Sequence, residues 1–164
     1  MTATDITYFA TMPSPIGELL LTSNGTQLTG VYMQQHRHGP DRAAGWQRDD
    51  AKLADAMRQL REYFDGTRTR FDIPCAPAGT AFQQRVWAAL TAIPFGTTVS
   101  YADIARSIGN PKGVRAVGLA NGRNPISIIV PCHRVIGSDG SLTGYGGGIE
   151  RKEWLLRHEG VLLA

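Results

Sequence analysis

The sequence predicts a mixed α/β (α+β) protein: a small N-terminal sheet-plus-helix domain, then a mostly helical C-terminal domain with a helix-turn-helix. Three observations carry this. Short apolar runs in the first 34 residues are punctuated by turn residues. Pro74-Cys75-Ala76-Pro77-Ala78-Gly79 interrupts every periodic pattern and reads as a linker. Beyond it, two short helical patterns are joined by a glycine-containing turn. The domains are accordingly expected at 1–78 and 79–164.

In the first domain, Ile6–Ala10 reads as a strand, Pro13–Gly17 as its break, and Glu18–Thr22 as a second strand. Asn24-Gly25 is a strong hairpin signal and leads into a third run, Leu28–Met33. His36 to Gly45 reads as a loop. His36 and His38 lack the further ligands that a metal site needs and are taken as loop residues. Leu53, Met57, Leu60 and Phe64 share one face of a helix over 51–64, with Asp49 or Asp50 as cap and Gly66 as stop. Phe71-Asp72-Ile73 reads as a short strand.

In the second domain, Thr80 and Gln83 have the spacing of a capping box ahead of a helix with Phe82, Val86, Trp87 and Leu90 on its apolar face. Ile93-Pro94-Phe95-Gly96 ends that helix, and Val99-Ser100-Tyr101 is extended. Ser100 caps a helix from Tyr101 to Ile108, Gly109-Asn110 turns the chain, and Pro111 opens a helix from Lys112 to about Asn121. Gly113, Ala116, Gly118, Ala120 and Gly122 leave that helix nearly bare. Arg115 is its only long charged side chain beyond Lys112. Each helical glycine costs about 1 kcal/mol relative to alanine, so another surface must come close. It is either a packed protein element or a nucleic-acid groove, with Arg115 pushed into the base stack. Ile149–His158 is the last helix, with Trp154 and Leu155 inward.

Composition narrows the class. With 42% hydrophobic and 19% charged residues the chain is globular, and no run of 18 apolar residues provides a membrane span. The polar Met1–Asp5 start is no secretory signal, so a cytoplasmic protein with reduced cysteines is expected. Residues 1–78 carry eight Lys/Arg against nine Asp/Glu, and residues 79–164 carry nine against five. The basic excess in the second domain suits a polyanionic partner.

The chemistry concentrates at Ile128–Gly137. A β-branched apolar run meets Pro131, followed by a thiol, an imidazole and a guanidinium at Cys132, His133 and Arg134. The run reads as a buried strand that must stop pairing at the proline, which puts Cys132 at a sheet edge or a sharp bend. A neighbouring imidazolium or guanidinium lowers a thiol below its usual pKa of about 8.5. In an extended chain His133 would point away from Cys132, so a bent backbone or a bridging water is required. The plain alternative is an inert buried cysteine beside a solvated His-Arg pair. Cys75 has no such neighbours and reads as structural. Leu142 to Gly148 places glycines around Tyr145, a loop able to close over a ligand but without the ending of a phosphate-binding loop.

Pro131-Cys132-His133-Arg134-Val135 closely resembles the active-site signature of the O6-alkylguanine-DNA alkyltransferases. The resemblance extends to Phe82–Trp87, Val99–Tyr101, Arg115–Gly118, Asn124-Pro125, Gly144–Gly148 and Lys152–Leu156. It is strong over about 80–160, while the first 78 residues fit the family's ribonuclease H-like N-terminal domain only in pattern. It implies direct-reversal repair. Cys132 takes an alkyl group from O6 of guanine, or O4 of thymine, in double-stranded DNA and keeps it. His133 removes the thiol proton through a water, Glu159 holds the imidazole, and Asn124 orders the turn.

The resemblance further implies a pocket of Tyr101, Val135, Tyr145, Gly146 and Gly147, in which Tyr101 and the backbone near Tyr145-Gly146 polarise the flipped base. Arg115 replaces the flipped nucleotide, and the helix with Lys112, Gly113, Ala116, Gly118, Ala120 and Arg123 lies in the minor groove. Gly146 stands where some members have serine, which leaves only a backbone N–H there. Zinc is not expected, because only Cys75, His36 and His38 are on offer, nor is any cofactor or a membrane contact. The protein is expected to act as a monomer, with cooperativity on DNA left open. A thioether is a poor leaving group, so each molecule acts once. Two other readings compete: a lesion-binding protein that transfers nothing, which predicts a replaced cysteine, and a thiol hydrolase, which would turn over.

Overall fold

The computed structural model describes residues 6–34, 45–143 and 145–163; His36, His38 and Gly144 lie outside them. The N-terminal domain is a four-stranded sheet, β1 (Tyr8–Met12), β2 (Leu19–Ser23), β3 (Leu28–Met33) and β4 (Gln47–Arg48), in the order β3-β2-β1-β4. β1 to β3 form the antiparallel meander expected, with Met12 opposite Leu19 and Leu21 opposite Val31. Gly25 adopts φ +111° at the Asn24-Gly25 turn. β4 runs parallel to β1 and was not foreseen: two exposed polar residues give no strand pattern.

Helix α1 (Ala54–Phe64) starts three residues later than its periodicity suggests. Asp49 accepts from Lys52 N at 3.2 Å and caps a preceding turn, while Leu53 takes the N-cap without a side-chain bond. The expected strand at Phe71–Ile73 does not form. Instead, the buried Gln59 amide of α1 binds the backbone of Asp72 in both directions, at 2.9 and 3.0 Å. These bonds satisfy peptide groups that would otherwise need a ladder.

Two capping boxes start the helical domain; Thr80/Gln83 and the cap at Ser100 were expected, the partnership of Asp103 was not. Thr80 and Gln83 open α2 (Ala81–Thr91), and Ser100 and Asp103 open α3 (Tyr101–Ser107). Gly109, at φ +75°, turns the chain toward α4 (Val114–Gly122). Gly113 is the N-cap of α4, so Pro111 and Lys112 belong to the turn and not to the helix. Val99–Ser100 (β5) pairs in parallel with Val135–Ile136 (β6), and α5 (Ile149–His158) closes the fold.

The largest difference concerns the approach to Cys132. Ile128–Val130 is a turn, with Ile128 buried at φ +73°, and Cys132–Arg134 is one turn of 3₁₀ helix. A β-branched residue at positive φ is strained. The chain holds it there because Asn124 crosses the turn: its Nδ2 donates to Val130 O at 2.8 Å, and its Oδ1 accepts from Ile126 N at 3.0 Å. The whole segment leans on the N-terminal sheet, where Val31 N donates to Pro125 O at 2.9 Å and Ser127 N to Val31 O at 3.2 Å. One continuous core joins the domains, from Leu21, Val31 and Leu60 to Val86, Leu90, Val117, Ile126 and Leu155.

Candidate active site

The 3₁₀ turn over Cys132–Arg134 bends the backbone, so the thiol and the imidazole are not held on opposite faces as in an extended chain. His133 is wholly buried, and its Nε2 lies 2.7 Å from Glu159 Oε2 at the end of α5. Arg134 turns away from solvent onto the same carboxylate, with Nε to Oε1 at 2.8 Å and Nη2 to Oε2 at 3.0 Å, and its Nη1 donates to Ile93 O at 2.6 Å. Gly96 N and the Tyr63 hydroxyl complete the set on Glu159, at 3.1 and 2.7 Å. Burial pushes the Glu159 carboxyl up, but the bonds and charges of His133 and Arg134 outweigh it and hold it well below the usual range. Glu159 is therefore an anion, and Nε2 of His133 carries the ring proton. Nδ1 is left as the basic nitrogen, buried and with no partner among the described residues.

Cys132 is 3% exposed. Burial pushes its thiol up, and the Asn124 amide, the Lys152 charge and nearby backbone N–H groups pull back without reversing this. Burial likewise pushes His133 down against the attraction of Glu159. The expectation that its neighbours lower the thiol's pKa is thus not met, because burial outweighs them. The resting pair is a neutral thiol and a neutral imidazole, because the sulfur is dry and the guanidinium of Arg134 is engaged by Glu159.

β5 and β6 set Val99 opposite Val135 and Ser100 opposite Ile136, with Tyr101 next along the chain, and both Tyr101 and Tyr145 stand close enough to feel charge on Cys132. Tyr101 donates to Thr143 O at 2.8 Å, and burial keeps its phenol protonated. Tyr145 and Gly147 are buried and Gly146 half-buried; a Cβ on Gly147 would run into Met33 of β3. Sequence reasoning gave no role to Lys152, which is fully buried. It donates to Val135 O at 2.6 Å and Thr143 O at 2.7 Å, and burial pulls its pKa down to about 8. The signal was present: Lys152, Leu155, Leu156 and Glu159 follow the i, i+3, i+4, i+7 spacing of one helix face. Tyr63, also missed, sits on the buried stripe Ala56, Gln59, Leu60, Tyr63 of α1. Cys75 lines a separate cavity of about 810 Å³ at the domain seam, with Phe71, Phe95 and Pro131; Cys132 does not line it.

The small-residue helix resolves into two faces. Arg115, Leu119 and Arg123, four residues apart, form one exposed row, with Lys112, Val114 and Ala116 exposed beside it. Ala120 belongs to the opposite side: it is 3% exposed, and Trp87 Nε1 donates to its carbonyl at 2.9 Å. Its small size serves packing against α2, which corrects its assignment to a DNA-facing surface. Gly113 is small for the same kind of reason, since a Cβ there would strike Asn110, and Gly118 lies against the Tyr101 ring. Among the described residues no cluster of three or more His, Cys, Asp or Glu could hold a metal. Among the described residues no helix is long and apolar enough to cross a membrane.

A buried thiol precedes an imidazole held by a carboxylate, and the same helical domain presents a bare basic outer face. The family described as "6-O-methylguanine DNA methyltransferase, ribonuclease-like domain" matches residues 7–77, and the one described as "6-O-methylguanine DNA methyltransferase, DNA binding domain" matches residues 81–161. The methylated-DNA–protein-cysteine methyltransferase of Mycobacterium tuberculosis is 53% identical over 152 residues, covering 93% of this chain and 92% of its own. The crystal structure of the M. tuberculosis O6-methylguanine methyltransferase superposes with a TM-score of 0.87 at 52% identity, over 94% of this chain and 93% of that one. That of M. tuberculosis OGT in complex with DNA gives 0.87 at 51%, over 93% and 92%. The chain belongs to the 6-O-methylguanine DNA methyltransferase family.

Proposed function

We propose that this chain repairs DNA by direct reversal, moving a methyl or other alkyl group from O6 of guanine, and from O4 of thymine, onto Cys132. The observation that carries the reading is the 2.7 Å contact between His133 Nε2 and Glu159 Oε2. With Nε2–H tied to an ionised Glu159, Nδ1 is the nitrogen that takes the thiol proton, directly or through one water. The Cys132 sulfur then attacks the alkyl carbon, the C–O6 bond breaks, and its electron pair passes to the base. Tyr101 turns from Thr143 and supplies a proton to the base, which leaves neutral; the phenolate left behind takes a proton back from water once the base has gone. Val135, Tyr145, Gly146 and Gly147 form the pocket wall. The imidazolium and Glu159 hold the proton removed from sulfur.

DNA meets the row Arg115, Leu119, Arg123 in the minor groove, Lys112 and Arg123 taking phosphates. Arg115 fills the gap left by the flipped nucleotide, and Leu119 adds an apolar contact one helical turn away. Support comes from the bare basic face itself, and from a relative of the same fold whose crystal structure is a complex with DNA. The division of labour falls at 78/79, with residues 1–78 bracing the reactive turn and residues 79–164 carrying acceptor and DNA face. The two family matches on either side of that point support it.

The acceptor is expected to be spent in one event, since no second thiol stands at Cys132 to cleave the thioether. The test is a time course with excess O6-methylguanine duplex. One equivalent transferred per chain, then arrest, is expected. Continued turnover would instead identify a thiol hydrolase, and binding without transfer a lesion-gripping protein.

A further inference from the structure

Tyr63 belongs to α1 of the N-terminal domain, yet its hydroxyl donates to Glu159 Oε2 at 2.7 Å, the same oxygen that holds His133 Nε2. We propose that Tyr63 is a positioning residue of the Cys132–His133–Glu159 relay, through which the N-terminal domain fixes the carboxylate and limits how strongly it attracts the imidazole proton. The inference rests on reading His133 as the base.

The geometry argues against a packing role alone. The ring is wholly buried among Phe64, Phe71, Phe95 and His158, with centroids 5.0–6.1 Å away. Phenylalanine would fill that space. A hydroxyl taken there loses its water and is tolerated only with a partner, and the partner is the oxygen that faces the base. The backbone beneath it is fixed too, since His158 Nε2 lies 2.7 Å from Tyr63 O. Oε2 thus serves three groups: the imidazole, the phenol and Arg134 Nη2. Withdrawing the phenol leaves more negative charge for the imidazole and loosens the carboxylate. The imidazolium then becomes easier to form, so His133 is already protonated at a higher pH and fails as a base there.

The other titratable or charged groups facing this centre are Cys132 and Arg134 on the reactive turn, Lys152 and His158 on α5, and Tyr145 on the preceding loop. Tyr63→Phe leaves each of these side chains in place.

The experiment measures the single-turnover transfer rate against pH for Tyr63→Phe, with an O6-methylguanine duplex and with free O6-benzylguanine. The rate at neutral pH is expected to fall about tenfold, a fraction of what a general base contributes. The fall should be equal on both substrates, with the acid limb displaced to higher pH and duplex affinity unchanged. Phe71→Leu disturbs packing on the same ring and should leave the acid limb in place. Should Tyr63→Phe fail to fold, fluorotyrosine at position 63 provides the reading, because a stronger donor moves the acid limb to lower pH. An unmoved limb in either Tyr63 protein, an equal move in Phe71→Leu, or a loss confined to duplex DNA overturns the proposal. None of these touches the acceptor role, which fails only if the wild-type chain leaves Cys132 unalkylated.

Discussion

The turn that carries Cys132 and the outer face of α4 are opposites. In the turn, Cys132, His133 and Arg134 are buried, Ile128 is strained, Asn124 and the edge of β3 brace the backbone, and Glu159 holds the His133 and Arg134 side chains. On α4, Arg115, Ala116, Leu119 and Arg123 project from a helix with no side-chain cap and with glycines at two of its nine positions. The difference separates two tasks. Breaking a carbon–oxygen bond requires groups that do not reorganise when charge moves, so the reactive turn is fixed in advance. Meeting a duplex requires a surface that is bare until DNA arrives. Substitutions in the turn should therefore affect free base and duplex alike, and substitutions on α4 should affect the duplex alone.

The sharpest separation comes from Cys132→Ala. It should abolish transfer from both substrates while duplex affinity in a gel-shift titration stays at the wild-type level; residual transfer would break the comparison outright. Glu159→Gln comes next. It leaves Arg134 buried without its counter-charge, which costs about 3–5 kcal/mol of stability in urea unfolding. It also removes the anion that fixes the tautomer of His133, slowing transfer roughly a hundredfold or more on both substrates. Arg115→Ala should change stability by less than about 0.5 kcal/mol, slow repair of duplex DNA, and leave reaction with O6-benzylguanine intact. Equal losses on the two substrates would remove Arg115 from the base-stack role.

pH sharpens the contrast further. His133 is held neutral by burial, whereas in the unfolded chain it protonates near 6.5. The unfolded state therefore binds more protons below that value, and stability falls as pH falls, by up to about 1.4 kcal/mol per unit. Glu159, depressed when folded, adds to the loss below about 4.5. Urea unfolding of wild type and His133→Gln at pH 5 and pH 7.5 tests this: the slope should shrink in the variant, and an equal slope would assign it elsewhere. The smallest effect is Leu119→Ala, a few-fold weakening of duplex binding with thermal stability unchanged, since the side chain is 70% exposed.

Much of this was legible in the sequence because local signals and the fold agree. Thr80/Gln83 and Ser100 cap the helices they were expected to cap, and Asn24-Gly25 turns the hairpin. The failures share one cause. Ile128–Val130 has the composition of a strand, but Asn124 supplies its backbone with partners that a ladder would otherwise provide, and tertiary contacts then hold Ile128 where no local rule would put it. Phe71–Ile73 fails likewise, through Gln59. The thiol's direction of shift was misjudged because neighbours in sequence say nothing about burial or about Glu159 engaging Arg134. Tyr63 and Lys152 escaped notice because each is an ordinary residue on an amphipathic helix until the fold aims its polar tip inward.

The central claim, that one buried sulfur is the acceptor, is tested most directly by peptide mass spectrometry after incubation with an O6-methylguanine duplex. A single methyl group per chain is expected, on the peptide containing Cys132 and on no other. A methyl on Cys75, several methyls per chain, or an unmodified Cys132 beside a repaired duplex would contradict it.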